Sequence, residues 1–570
     1  MPLPAPLDRG RRKRHVSGMR ITVLAAVLIA ALAPPALARA KAPEISPLHG
    51  YVLGRAAFAN DALAEAAQFF DAVQAQQPET PELARRAFEL AVASGDRKRA
   101  LELAVSLQAN GQGNSEVAVL LLTGAVLRKD WPAATSARAA LSNAGYAAVV
   151  GPIVDAWIAY GRGDSAAALA ILEPTNFTGF ARSYVAEQRA HMLAATGRWN
   201  EAAAAYSLLR AGTASGISFL RQGEADAVAQ SGDRVRALAL LDGDEPPTVA
   251  ARARLKAGKR IGALAPDARR GLGWMAARLA ADLSRERPVP LALLFARTAT
   301  FLAPDIAASW LICGDVLARS GSREAALAAY AMVPDKDALA QTARIRRAEV
   351  LEAMDRGTEA GALLAEAATA ADAGSDAWVR LGDWHRRAER FGAATEAYGR
   401  AIDVGPEGPG SWGLWFLRGS MKDRAQDWPG AEADLRKALA LSSDEPVVLN
   451  YLGYSLLDRG LKLSEAATLI EKAATLRPDD GGIVDSLGWS QYRQGRFAEA
   501  ATTLERASSL EPTDPTVTDH LGDAYWQIGR RIEARFRWRA ALAMDPSDAQ
   551  RKQIDAKLAY GLDAAIAMLD

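Results

Sequence analysis

A chain of 570 residues is too long for one compact core, since single domains run to roughly 100–200 residues, so several domains or an extended repeat array are expected. Half of the residues are hydrophobic, which excludes a mainly disordered protein, and the Ala-, Leu- and Arg-rich composition favours helix almost throughout. The 68 basic and 67 acidic residues leave no excess of the kind a nucleic-acid-binding face requires.

At the amino end Arg11, Arg12, Lys13, Arg14 and Arg20 precede an apolar run over 21–33, and the small residues Ala36 and Ala38 frame a cleavage point before Arg39. This is the three-part pattern of a secretory signal over 1–38. The apolar run is shorter than the roughly 20 residues of a bilayer span. Removing the signal takes away six basic residues and one acidic residue, which leaves 62 basic against 66 acidic, a net charge of −4. The single cysteine, Cys313, has no partner for an internal disulfide and is expected to pack between helices as a small apolar group.

Residues 39–245 read as degenerate helical repeats. Leu53, Gly54, Ala57, Ala66, Phe70 and Pro78 form one helix pair, and turn signals follow at Gly95-Asp96, Lys129-Asp130, Gly163-Asp164, Gly197-Arg198 and Gly232-Asp233, close to 34 residues apart. A stretch over 246–269, with Pro246 and Pro247, reads as a joint.

Over 270–546 the period becomes regular, with about eight repeats. Small residues recur at Ala280, Gly314, Ala348, Gly382, Gly419, Gly453, Gly488 and Gly522, and a second series at Ala292, Ala326, Ala360, Ala394, Ala431, Ala466, Ala500 and Ala534. Two small residues per unit mark where two helices cross closely. Pro304, Pro406, Pro478, Pro512 and Pro546 close many units, where proline stops a helix. Beyond Pro546, residues 547–570 are expected to form one helix that caps the array.

The unit Trp378, Leu381, Gly382, His385, Ala394, Tyr398, Pro406 resembles the tetratricopeptide repeat pattern W-x2-L-G-x2-Y, A-x3-F, P. The resemblance implies an all-α fold, a right-handed superhelical solenoid of antiparallel helix pairs whose first helices line a concave groove. The plan of a signal followed by many repeats also resembles bacterial periplasmic scaffold and adaptor proteins of this family, among them the lipoprotein partner of a carboxyl-terminal processing protease. A lipoprotein needs a cysteine at its cleavage point. Residues 32–41 contain none, so no lipid anchor is expected, and membrane association would run through a partner.

No HExxH, CxxC, GxxxxGK or GxSxG sequence occurs. Of the five histidines, His191, His385 and His520 lie in three different repeats with no second ligand in sequence reach, and each reads as an ordinary helix residue. No catalysis, cofactor or metal is expected. What remains is recognition. The resemblance assigns the groove of the last three repeats to residues flanking each lattice glycine: Asn450, Tyr454 and Asp458; Asp485, Trp489, Tyr492 and Arg493; Asp519, Asp523 and Trp526, with Gln527 beside it. Rings alternate with carboxylates there, a content suited to holding a protein or peptide. An envelope protease or its substrates is the leading partner class. An assembly scaffold for polysaccharide or pilus export, and a glycan-binding solenoid, are the alternatives.

Overall fold

In a computed structural model of the chain, the described residues are 46–141, 146–212, 218–243, 245–285, 290–370 and 373–569. The signal expected over 1–38 lies outside them. Among the described residues there is no strand, and thirty-one α-helices follow one another. None of these helices is long and apolar enough to cross a membrane. The expected all-α architecture of antiparallel helix pairs is therefore the one observed. The residues fall into two compact units that meet in sequence at Ala373 and Gly374. The 246–269 stretch holds a helix, Pro246–Lys256, and an irregular segment before the Asp267 cap of the next helix.

The turn inside each pair follows from backbone chemistry. Gly95, Gly163, Gly197 and Gly232 all have φ between 76° and 104°, a left-handed conformation that glycine adopts without a Cβ penalty. Asp96, Asp164 and Asp233 follow three of these glycines and Asp130 follows Lys129, at φ 56°. Each of the four side chains accepts a hydrogen bond from the amide three residues on, capping the second helix, whereas Arg198 after Gly197 makes no such cap. Prolines end the pairs as expected: the helices stop at Leu302, Val404, Leu476, Leu510 and Leu542, two to four residues before Pro304, Pro406, Pro478, Pro512 and Pro546.

The lattice glycines have a specific reason. An added Cβ at Gly314, Gly382 or Gly522 would collide with the ring of Tyr330, Tyr398 or Trp538 on the second helix of the same pair. The residue after each of these glycines is an aspartate that accepts that ring's hydrogen bond: Tyr330 to Asp315 at 2.6 Å, Tyr398 to Asp383 at 2.8 Å, Trp538 to Asp523 at 2.9 Å. Where the second helix instead presents an aliphatic side chain, Ile470 against Gly453 or Leu504 against Gly488, no donor needs an acceptor. There the residue after the glycine is an aromatic, Tyr454 or Trp489. Cys313 is fully buried in the core, as expected, and burial raises its thiol pKa.

In the amino-terminal unit, the Ala268–Leu283 and Pro290–Leu302 helices do not simply continue the stack. They pack across the first helices of four earlier pairs, Pro81–Ser94, Ser115–Arg128, Tyr146–Gly161 and Gly179–Ala195. Trp157, completely buried, lies against Gly271 and donates its indole N–H to Gln188 at 2.9 Å. Arg278 reaches Glu187 at 2.8 Å, and Arg297 donates to the Ala93 carbonyl at 2.6 Å, a cation at a helix carboxyl end. In the solenoid that the resemblance implies, each pair contacts only its neighbours. The difference arises because the first-helix face of the early repeats is apolar enough, with Leu120, Ile153 and Val154, to take a helix pair of the same chain.

The carboxyl-terminal cap also differs from the single helix expected. It is two helices, Asp548–Tyr560 and Leu562–Leu569. Gly561, at φ 83°, breaks them apart and lies directly against the Trp526 ring.

Candidate functional site

Three consecutive first helices of the carboxyl-terminal unit carry the residues singled out from sequence: Pro446–Asp458, Gly481–Arg493 and Pro515–Gln527. Their starts are locally encoded. Pro446 and Pro515 occupy the first helical turn, where a missing N–H costs nothing. Asp480 accepts from the Ile483 amide at 3.1 Å, and Asp514 from the Val517 amide at 3.1 Å.

Side by side, these helices are joined by a polar ladder. Asp485 accepts from His520 Nδ1 at 3.0 Å, and Gln527 donates to the Tyr492 hydroxyl at 3.4 Å. One repeat further on, Lys557 of the Asp548–Tyr560 helix reaches Asp519 and Asp523, both at 2.8 Å. Asp485, Asp519 and Asp523 are consequently buried and engaged inside the stack. These three aspartates, read as groove residues, hold neighbouring first helices together; the spacing that placed them on one helix face equally brings a cation from the next repeat onto them.

Rings link the same helices. Trp489 stacks on Tyr492 of its own helix, with centroids 4.7 Å apart and planes 5° apart, and on His520 of the next, at 4.1 Å and 13°. Trp489, Tyr492 and Trp526 are half-buried. Trp526 is pinned by a hydrogen bond from its Nε1 to Asp563 at 3.2 Å and by the Trp538 ring 5.3 Å away. Tyr454 is half-buried as well, and burial, with Asp485 and Asp458 adding to it, pushes its phenol up to about 12. It stays a hydrogen-bond donor at neutral pH.

Asp458 and Arg493 are exposed. Asn450 occupies the same lattice position as Asp485 and Asp519, three before the glycine. Its Oδ1 is buried and, among the described residues, has no hydrogen-bond partner. The ten residues thus separate into three buried acids that hold the stack, three rings partly spent in packing, and a remainder of Asn450, Tyr454, Asp458 and Arg493.

Two groups of residues on this face escaped sequence reading. Asp423, on the preceding Trp412–Arg424 helix, accepts from Tyr451 at 3.0 Å and pairs with Arg459. Lys557 lies in the segment 547–570, expected from sequence only to cap the array. The signal was available in its spacing, 34 residues after Asp523, which is the repeat period itself.

Two members of the buried cluster, His520 and Asp523, have shifted pKa values. Burial alone lowers the His520 pKa, but Asp485, Asp519 and Asp523 around it raise it above the ordinary value. Burial raises Asp523 to about 6, against the opposing pull of Lys557. Both groups bind protons more readily folded than unfolded, so what they contribute is present at low pH and lost as pH rises through the folded values. The stability gap between the wild type and His520→Gln is therefore expected to be wider at about pH 6 than at about pH 8. Denaturant titrations at the two pH values measure it, and a gap independent of pH contradicts the assignment.

Residues 379–446, 451–515 and 486–549 match the family model described as tetratricopeptide repeat. The TPR repeat-containing protein PA4667 of Pseudomonas aeruginosa is 42% identical over 90 residues, 16% of this chain, and the match spans 15% of that protein's length. Among solved structures, the Cut9-Hcn1 hetero-tetramer of APC/C aligns over 92% of this chain and 98% of its own at 14% identity and a TM-score of 0.35. YrrB, a TPR protein with an unusual peptide-binding site, aligns over 31% of this chain and 88% of its own at 18% identity and a TM-score of 0.26.

Proposed function

From a chain whose residues 379–549 are tetratricopeptide repeats, the repeats of protein-interaction scaffolds, we infer an exported, non-enzymatic adaptor that holds a protein or peptide partner on the first helices of its carboxyl-terminal unit. The observation that carries this is the unpartnered amide oxygen of Asn450. A buried acceptor left without a donor is costly, on the order of 1–3 kcal/mol, and turning the Asn450 amide outward would let it take a backbone N–H of an extended peptide. The half-buried rings Tyr454 and Trp489 and the exposed Arg493 flank it in lattice position, and together they suit a peptide with apolar and acidic side chains. In the amino-terminal unit the corresponding face of four pairs is covered by the chain's own helices, which favours the carboxyl-terminal face as the receptive one.

Export rests on the basic, apolar and small-residue segments over 1–38. A bacterial periplasm and an envelope protease or its substrates are the compartment and partner class that this plan favours. Capture from envelope extract with the intact protein, compared with Asn450→Leu and Trp489→Ala, tests the reading. Captured partner is expected to fall by roughly tenfold or more in each, the loss of a hot-spot contact. Retention of every partner by both variants removes the assignment of this face.

A further inference from the structure

The Arg531–Leu542 helix departs from the pattern of its own array. At the position of Ile532 the second helices of the four preceding repeats carry Gly392, Pro429, Ser464 and Ala498; at that of Phe536 they carry Glu396, Ala433, Thr468 and Thr502. Small or polar residues are what an outward-facing position calls for. Here Ile532 is 84% exposed and Phe536 67%, one turn apart, with Ile528 at 36% continuing the stripe. None of the three is explained by packing.

Charge surrounds the stripe asymmetrically. Arg531, Arg535, Arg537 and Arg539 lie on the same helix, and among the described residues none has a carboxylate within ion-pair distance. Arg535 donates to the Leu558 carbonyl at 2.6 Å, and Arg531 rides over the Trp526 ring at 5.0 Å. The helix's one acid, Glu533, is taken by Arg530 at 3.1 Å. Of the four, Arg531 and Arg539 are exposed beside the two projecting apolar side chains, while Arg535 is held by the Leu558 carbonyl and Arg537 is half-buried in the field of Glu505. That combination opposes a symmetric contact with a second copy, which would set the arginines against each other.

We propose that this helix face docks onto an anionic lipid surface, Ile532 and Phe536 entering the interfacial layer while the exposed Arg531 and Arg539 contact lipid phosphates. Apolar side chains projecting from a basic helix face are the pattern of interfacial binding. A fluid headgroup layer needs no complementary pocket. The inference concerns the outer, second-helix side of the last repeat and is independent of the peptide-binding reading.

A local probe tests it in the full chain. The only native thiol, Cys313, is fully buried, so Ile528→Cys takes a solvatochromic fluorophore at a single place beside the stripe. Vesicles of phosphatidylcholine with about 40 mol% phosphatidylglycerol are expected to shift its emission to the blue, and vesicles of phosphatidylcholine alone are not. Arg531→Gln with Arg539→Gln is expected to weaken the response roughly thirtyfold, at about one kcal/mol per basic residue. Ile532→Ser with Phe536→Ser is expected to abolish it with an unchanged melting temperature, since both side chains are exposed. No shift on anionic vesicles, which would leave the face to an acidic protein partner, or an equal shift on neutral ones, overturns the proposal.

Discussion

Lys557→Met is expected to destabilise the carboxyl-terminal repeat by about 3–5 kcal/mol, the cost of leaving buried charge without its counter-ion. The ammonium is 2.8 Å from both Asp519 and Asp523, and all three residues are buried. Burial lowers its pKa, but the two carboxylates outweigh that and hold it above its ordinary value. Without it, two aspartates one helical turn apart repel in a region of low dielectric, and only Trp538 still donates to Asp523. The lost stability should be recovered largely by adding Asp519→Asn and Asp523→Asn, because the cost comes from unpaired charge more than from lost packing. Hydrogen exchange would show faster opening of 515–560 with little change before 440. A variant within about 1 kcal/mol of wild type would mean that the ion triad contributes nothing to holding the cap.

Trp157→Ala is expected to cost a similar amount, about 3–5 kcal/mol, as buried aromatic-to-alanine changes do. The indole is completely buried, its N–H is bonded to Gln188 at 2.9 Å, and it fills the space over Gly271. Truncation therefore leaves both a cavity and an unpaired amide oxygen on a buried Gln188. The change should also loosen the Ala268–Leu283 helix from the first-helix face it covers. Limited proteolysis should then gain a site around 257–266, the irregular segment before that helix. Gly271→Ala offers an independent approach to the same contact, since its Cβ would collide with the Trp157 ring. If neither variant exposes the segment, the pair is not held by this contact.

The two halves of the candidate site were unequally legible. Asp519 and Asp523 stood out as carboxylates on one helix face, a pattern that equally suits a partner-binding groove and a cation arriving from the next repeat. Deciding between them required Lys557, 38 and 34 residues away. The aspartate after Gly522 was similarly ambiguous until Trp538 was placed above that glycine. Asn450, in the same lattice position as two paired aspartates, differs from them only through what the neighbouring helix fails to offer.

From sequence alone came the helix pairs, the period near 34, the turns with their caps and the proline stops. Each of these depends on interactions within a few residues, on helical spacing, or on a repeat too regular to mistake. The burial of Cys313 followed from its place in that lattice. Tertiary structure alone decided the rest. The Ala268–Leu283 and Pro290–Leu302 helices carry the same repeat pattern as their successors, yet they lie across the first helices of earlier pairs; whether an apolar face meets its sequence neighbour or a distant segment is settled by long-range packing. Which aspartates are spent and which amide is left open is settled the same way, because a buried polar group's role depends on the donor that folding brings to it.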